Sequence, residues 1–193
     1  MSRALRNLPL IRKSLSASII SKAIEGEKEK GSKNLNNLQL FVSKGAAVDA
    51  IFTDKLNATE AYLSLISLIA LLDDKKFELA AVFGRKVIEK CHSANSRVLD
   101  GILAKLFYFT SICYENEKKH AELRTLLLSS QRTAVLRQDH ETLAVIINGL
   151  LRNYLSCNLV SQAEKLVSKS SYPENVSNSQ LARYLYYLGK LVE

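Results

Sequence analysis

Three histidines, three cysteines and two close carboxylate pairs are the residues of this 193-residue chain whose types most readily do chemistry. His92, His120 and His140 lie 28 and 20 residues apart, at the ends of different predicted helices. A metal site built from neighbouring ligands needs His or Cys at i, i+4, or a C-x-x-C pair, so that both donors face one ion. Neither spacing occurs. Cys91 precedes His92 directly, but adjacent residues of a helix point to different faces. Cys91, Cys113 and Cys157 are odd in number and widely separated, which predicts buried free thiols in a reducing compartment. The carboxylate pairs Asp73–Asp74 and Asp139/Glu141 read as helix-terminal residues, where a carboxylate accepts from orphan N–H groups at the positive end of the dipole. The phosphate-cradling, nucleophile-elbow and zinc-protease patterns are absent. These observations predict a chain that is not an enzyme, with no metal and no cofactor, whose function comes from its surfaces.

The elements presenting those surfaces are helices. Hydrophobic residues make up 47% of the chain, glycine and proline number only 7 and 2, and apolar residues recur at helical rather than alternating spacing. The clearest example is Leu143, Ile146, Ile147, Leu150, Leu151, Tyr154 and Leu155, which fall on one face of a predicted helix. A second helix follows at once, with Ser161-x-x-Glu164 read as its capping box and Leu159, Ala163, Leu166 and Val167 facing inward. Beyond residue 53 the pattern predicts helices at about 57–72, 76–91, 97–117, 119–137, 140–156, 159–170 and from 178 onward. Asn57 with Glu60, and Ser177 with Gln180, are read as further capping boxes. Alternate helix starts recur every 38 to 43 residues, the spacing of stacked antiparallel hairpins in an α-solenoid. Ala80, Ala81, Gly84, Gly149 and Ala163 are small where two such helices must approach closely. The aromatic runs Phe107–Tyr108–Phe109 and Tyr184, Tyr186, Tyr187 span too wide an arc for one core. One or two should lie at a seam between hairpins or at a partner surface, while core packing is the main use expected of these rings.

The net charge of +8 is concentrated at the N-terminus. Residues 1–44 carry nine Lys/Arg against three Glu, leaving the remainder close to neutral. Residues 1–45 are accordingly expected to form a basic arm. It would comprise short helices at about 3–13 and 16–25, a polar linker over 25–34 with no apolar residue, and an amphipathic stretch over 35–44 ended by Gly45. Residues 54–193 are expected to form the helical-repeat domain. No secretory leader pattern is visible. The longest apolar run, Ala61–Leu72, falls short of the roughly 20 residues a membrane-spanning helix needs, so no membrane partner is expected.

Polar residues of the most distinctive block are the candidate interaction surface: Arg132, Arg137, Arg152 and Asn153. Arg124 belongs to the same basic set, which can serve helix C-terminal carbonyls or an acidic partner.

Five segments carry a family resemblance: EAYLSLISLIALLDDKKFELA at 60–80, RVLDGILAKLFYFTSICYE at 97–115, RTAVLRQDHETLAVIINGLLRNYL at 132–155, QAEKLVSKSSYPE at 162–174 and ARYLYYLGKL at 182–191. In this order they resemble the non-ATPase regulatory subunit 3 family of the 26S proteasome, lid components of the PCI class. RALRNLPLIRKSL near the start is compatible with that family's beginning. The resemblance implies an all-α, right-handed superhelix of TPR-like antiparallel helical hairpins. In the family this array leads into a winged-helix PCI module, before which the present chain stops, so the repeat domain is expected to be C-terminally incomplete. It further implies a scaffold role in ubiquitin-dependent protein degradation, other proteasome lid subunits as partners, no small-molecule substrate, and residence in cytoplasm and nucleus. Two alternatives stand beside it. One is an adaptor of another PCI complex, the signalosome or the translation-initiation scaffold, against which the RTAVLR and LLRNYL blocks speak. The other is RNA binding through the basic arm.

Overall fold

A computed structural model describes residues 2–14, 17–27, 33–44, 51–52, 56–94 and 96–192. Among these residues all regular structure is helical, and the chain forms two compact units, Met1–Cys113 and Tyr114–Glu193.

The first unit comprises α1 (Ser2–Arg6), α2 (Leu8–Lys13), α3 (Ala17–Glu27), α4 (Lys33–Lys44), α5 (Ala58–Asp73), α6 (Phe77–Ala94), a 3₁₀ turn (Arg97–Leu99) and the part of α7 (Asp100–Asn116) that runs to Cys113. Its axis is α5, on which α2, α3, α4 and α6 all pack. Leu65, Leu68 and Ile69 of α5 are fully buried. Ser64 and Ser67 survive in this apolar run because their hydroxyls donate back to the carbonyls of Glu60 and Leu63, at 2.8 and 2.9 Å. The expected Asn57/Glu60 capping box is present, with both reciprocal hydrogen bonds made. Glu60 also accepts from Asn34 of α4 at 3.1 Å. Phe83 of α6 stacks on Phe41 of α4 with ring centroids 4.8 Å apart.

The N-terminal segment departs from expectation. The single helix read over 3–13 is two, broken at Asn7, because Pro9 in the first turn of α2 has no N–H to offer a helix continuing from α1. The polar linker shrinks from both ends: α3 continues to Glu27, α4 begins at Lys33, and Asn34 is buried. Residues 28–32 and Gly45 lie outside the described residues. Leu8, Ile20, Ile24, Leu35, Leu38 and Phe41 are all buried, so α2 to α4 belong to the core built around α5 rather than to an appendage. The hydroxyl of Tyr62 donates to the Ala4 carbonyl at 3.3 Å. Arg12 grips Asp73 at the end of α5 with two nitrogens, Nε lying 3.1 Å from Oδ2, and its guanidinium sits 5.8 Å from the centre of the Phe109 ring. Asp73 therefore stands at the negative end of its helix, contrary to the N-terminal role expected, and Arg12 offsets that placement.

The second unit holds the end of α7, then α8 (His120–Arg137), α9 (His140–Ser156), α10 (Val160–Lys169) and α11 (Asn178–Val192). Here α9 is the axis, contacted by α8, α10 and α11. The middle of the predicted stripe is internal, Ile146, Ile147, Leu150 and Leu151 being at most 1% exposed, while Leu143 and Leu155 at its ends are half-buried and burial extends beyond it to Ala144, Val145, Asn148 and Asn153.

Four inter-helix turns share one geometry. Lys75, Lys118, Gln138 and Asn158 each take a left-handed conformation, with φ of 60°, 58°, 55° and 56°. In each turn that residue's N–H bonds the carbonyl three positions back, and the next N–H bonds the carbonyl five back, as in Lys118 to Glu115 and Lys119 to Tyr114. At Asn158 this reversal starts α10 at Val160, so Ser161 lies inside the helix and the expected Ser161/Glu164 capping box does not form.

Candidate interaction surface

The four residues read as an interaction surface occupy α8 and α9, and they meet different fates. Arg132 is exposed on α8, whereas Arg137 is half-buried in the last turn. Arg152 of α9 forms an ion pair with Glu115. Asn153 is 0% exposed: its Oδ1 accepts from Arg124 Nε at 3.1 Å, and its Nδ2 donates to the His120 carbonyl at 3.1 Å. Asn153 is thus a joint between α8 and α9, not a surface residue, because α9 is enclosed on several faces and its amide reaches the carbonyl of the first residue of α8 as well as Arg124. Arg124 also lies over the Tyr154 ring, 5.4 Å from its centre.

Burial pushes the Glu115 carboxyl above its usual range, with Arg152 pulling it only partly back. Its Oε1 is buried with no hydrogen-bond partner. This cluster is a packed polar seam inside the second unit.

A second seam fastens α11. Asn148 Nδ2 donates to the backbone carbonyl and side-chain oxygen of Gln180, both at 3.0 Å, and contacts the Tyr172 hydroxyl at 3.3 Å. The Tyr172 and Tyr184 rings stack 3.9 Å apart, and burial raises the pKa of both phenols. Ser177, expected to cap α11 jointly with Gln180, donates its N–H and hydroxyl to Glu141 at 3.1 and 2.8 Å, while the Gln180 side chain turns to Asn148. Asp139 does cap α9, accepting from Thr142 N–H at 3.1 Å. The signal for the Asn148 seam is visible in the sequence as an amide and a glycine interrupting an otherwise aliphatic face in IINGLL.

Apolar as well as basic side chains remain open to a partner. Leu128, Val135 and Leu136 of α8 are 41%, 53% and 85% exposed, and Leu181, Leu185, Tyr186 and Val192 are exposed on α11. A groove of about 360 Å³ lies between Gln131, Tyr154 and the α10 residues Gln162, Lys165, Leu166 and Lys169. In the first unit Arg6, Lys13, Lys22 and Lys33 are exposed, while Arg12 is engaged by Asp73. Phe107 and Phe109 are buried with Tyr108 half-buried between them, and Tyr186 is 61% exposed. Gly84 faces Thr110, whose Oγ1 lies 2.3 Å from where a Cβ would sit, so the close approach expected there is real.

The cysteines are free, Cys91 and Cys113 buried and Cys157 half-buried. The His92 ring packs 6.0 Å from Phe107. Among the described residues no group of His, Cys, Asp and Glu is arranged to hold a metal ion, and no helix is long and apolar enough to cross a membrane.

A family model described as PSMD3-like, N-terminal TPR repeats, matches residues 1–192. The probable 26S proteasome non-ATPase regulatory subunit 3 of Nicotiana tabacum is 37% identical, over 99% of this chain and 41% of its own. Its counterpart in Drosophila melanogaster is 36% identical, over 98% of this chain and 40% of its own. The probable 26S proteasome regulatory subunit rpn3 of Schizosaccharomyces pombe is 42% identical over 68% of this chain and 27% of its own. The chain therefore spans less than half the length of these relatives.

Proposed function

The chain belongs to the PSMD3-like family with N-terminal TPR repeats, and from that premise we propose that it is a non-catalytic scaffold segment of the proteasome regulatory particle lid. In this reading it supports ubiquitin-dependent degradation in cytoplasm and nucleus by contacting other lid subunits. The observation that carries it is end-to-end identity: relatives named as proteasome regulatory subunits match 98 to 99% of the chain. The packing supports the same reading, because buried and half-buried polar side chains of the second unit are spent on joints between helices. Glu115 with Arg152, Asn153 with Arg124 and Asn148 with Gln180 all hold helices together. Function then falls to exposed faces, as in other repeat folds.

Mass spectrometry of proteins co-purifying with a tagged copy of the chain tests this. The expected result is enrichment of proteasome regulatory subunits over an untagged control. A folded chain that recovers none of them would remove the scaffold reading.

A further inference from the structure

Apolar side chains lie on opposite sides of α8. Leu123, Leu127 and Ala134 are buried on the side that meets α9. Leu128, Val135 and Leu136, at i, i+7 and i+8, lie on the other side, exposed by 41%, 53% and 85%. A helix with one partner needs one apolar face; a second face is the pattern of a helix packed from two sides. Midway along that second face stands Arg132, exposed and, among the described residues, without an ion pair or hydrogen bond.

We infer that this outer face of α8 docks an amphipathic helix of a neighbouring protein subunit, one carrying aliphatic residues at helical spacing and a carboxylate opposite Arg132. The geometry supplies both halves of the recognition. Leu128, Arg132 and Leu136, at i, i+4 and i+8, form one ridge for helix-on-helix packing, with Val135 beside it. Arg132 is a fork-shaped donor whose bidentate bonds select a carboxylate and fix register along the ridge. Arginine ringed by aliphatic contacts, from which docking excludes water, is also the composition of interface residues that carry much of the binding energy. The inference rests on the scaffold reading, since it names the kind of partner that such a subunit would hold.

The test places a benzophenone amino acid at position 136 of the tagged chain, with a second version carrying it at position 181 on α11 as a control. Photoadducts are sequenced from material purified as above. The expected outcome is an adduct at position 136 to one amphipathic helix of another subunit that includes Asp or Glu. Its yield should fall about tenfold with Arg132→Glu and by a smaller but measurable factor with Arg132→Lys, which keeps the charge and loses the fork. Both substitutions fall on an exposed side chain without partners, and an unchanged melting temperature verifies that the fold is intact. Co-purification of regulatory subunits without an adduct at 136 overturns the docking face and leaves the scaffold reading standing. An adduct to an acidic amphipathic helix from outside the regulatory particle does the reverse. An adduct to a second copy of this chain, or to a segment lacking acidic residues, also overturns the inference.

Discussion

At the scale of single residues, buried polar and small side chains decide more than exposed charges do. A methyl group at Gly84 would press on Thr110 Oγ1. Gly84→Ala should therefore lower unfolding free energy by about 1–3 kcal/mol, despite the helix propensity that alanine adds, and Thr110→Ala in the same chain should recover part of the loss in urea titrations. Asn153→Ala should cost about 1–3 kcal/mol by taking the buried amide from its half-buried partners Arg124 and the His120 carbonyl, whereas Arg132→Ala should stay within about 0.5 kcal/mol. Equal costs would remove the distinction between joint and surface. Glu115 supplies a pH dependence. Its folded pKa is raised by burial, so the stability it contributes is complete below the unfolded carboxylate pKa and is lost as pH rises through the raised folded value. Glu115→Gln should consequently gain on the parent as pH rises from the ordinary glutamate range through the raised folded value in paired denaturant titrations; a constant difference would contradict the assigned burial. Gly84 could be read from sequence because a helical glycine is locally costly and calls for a packing reason. Asn153 could not, because Arg124 and the His120 carbonyl lie 29 and 33 residues away, and nothing local announces that encounter.

Among elements, the helices beyond residue 57 were legible to within a few residues, because their apolar spacing is a local property of the chain. The departures have local causes too: Pro9 divides the first helix, and the left-handed residue Asn158 starts α10 at Val160. The shared turn was hidden, since Lys75, Lys118, Gln138 and Asn158 include no glycine, the usual mark of that geometry. A side chain in this conformation costs about 1–2 kcal/mol. Gln138→Gly and Lys118→Gly should each raise stability by about 0.5–1 kcal/mol in thermal or chemical melts. Destabilisation by either would mean that the side chain itself supports the turn. For α11, removing the Asn148 amide as Asn148→Ala should speed amide hydrogen exchange along that helix more than along α8, because Asn148 bonds Gln180 directly.

For the molecule as a whole, the circular dichroism spectrum should be that of a helical protein; a strand-dominated spectrum would contradict the fold. The all-α class and hairpin repeat were legible because composition and periodicity both declare them. The division of the chain at Cys113 was not. Charge made residues 1–45 look like a separate arm, but Ile24, Leu38 and Phe41 place that segment's apolar side in the core with α5. Charge reports where a segment meets water; burial reports where it belongs. The clasp of Arg12 on Asp73 spans 61 residues, and this sets a timetable for the newborn chain. At roughly 5–20 residues per second of synthesis, Arg12 leaves the ribosome on the order of 3–12 s before Asp73 follows. Throughout that interval α2, α3 and α4 have no α5 to cover them, and the pairing of α3 with α4 is the packing open to them first.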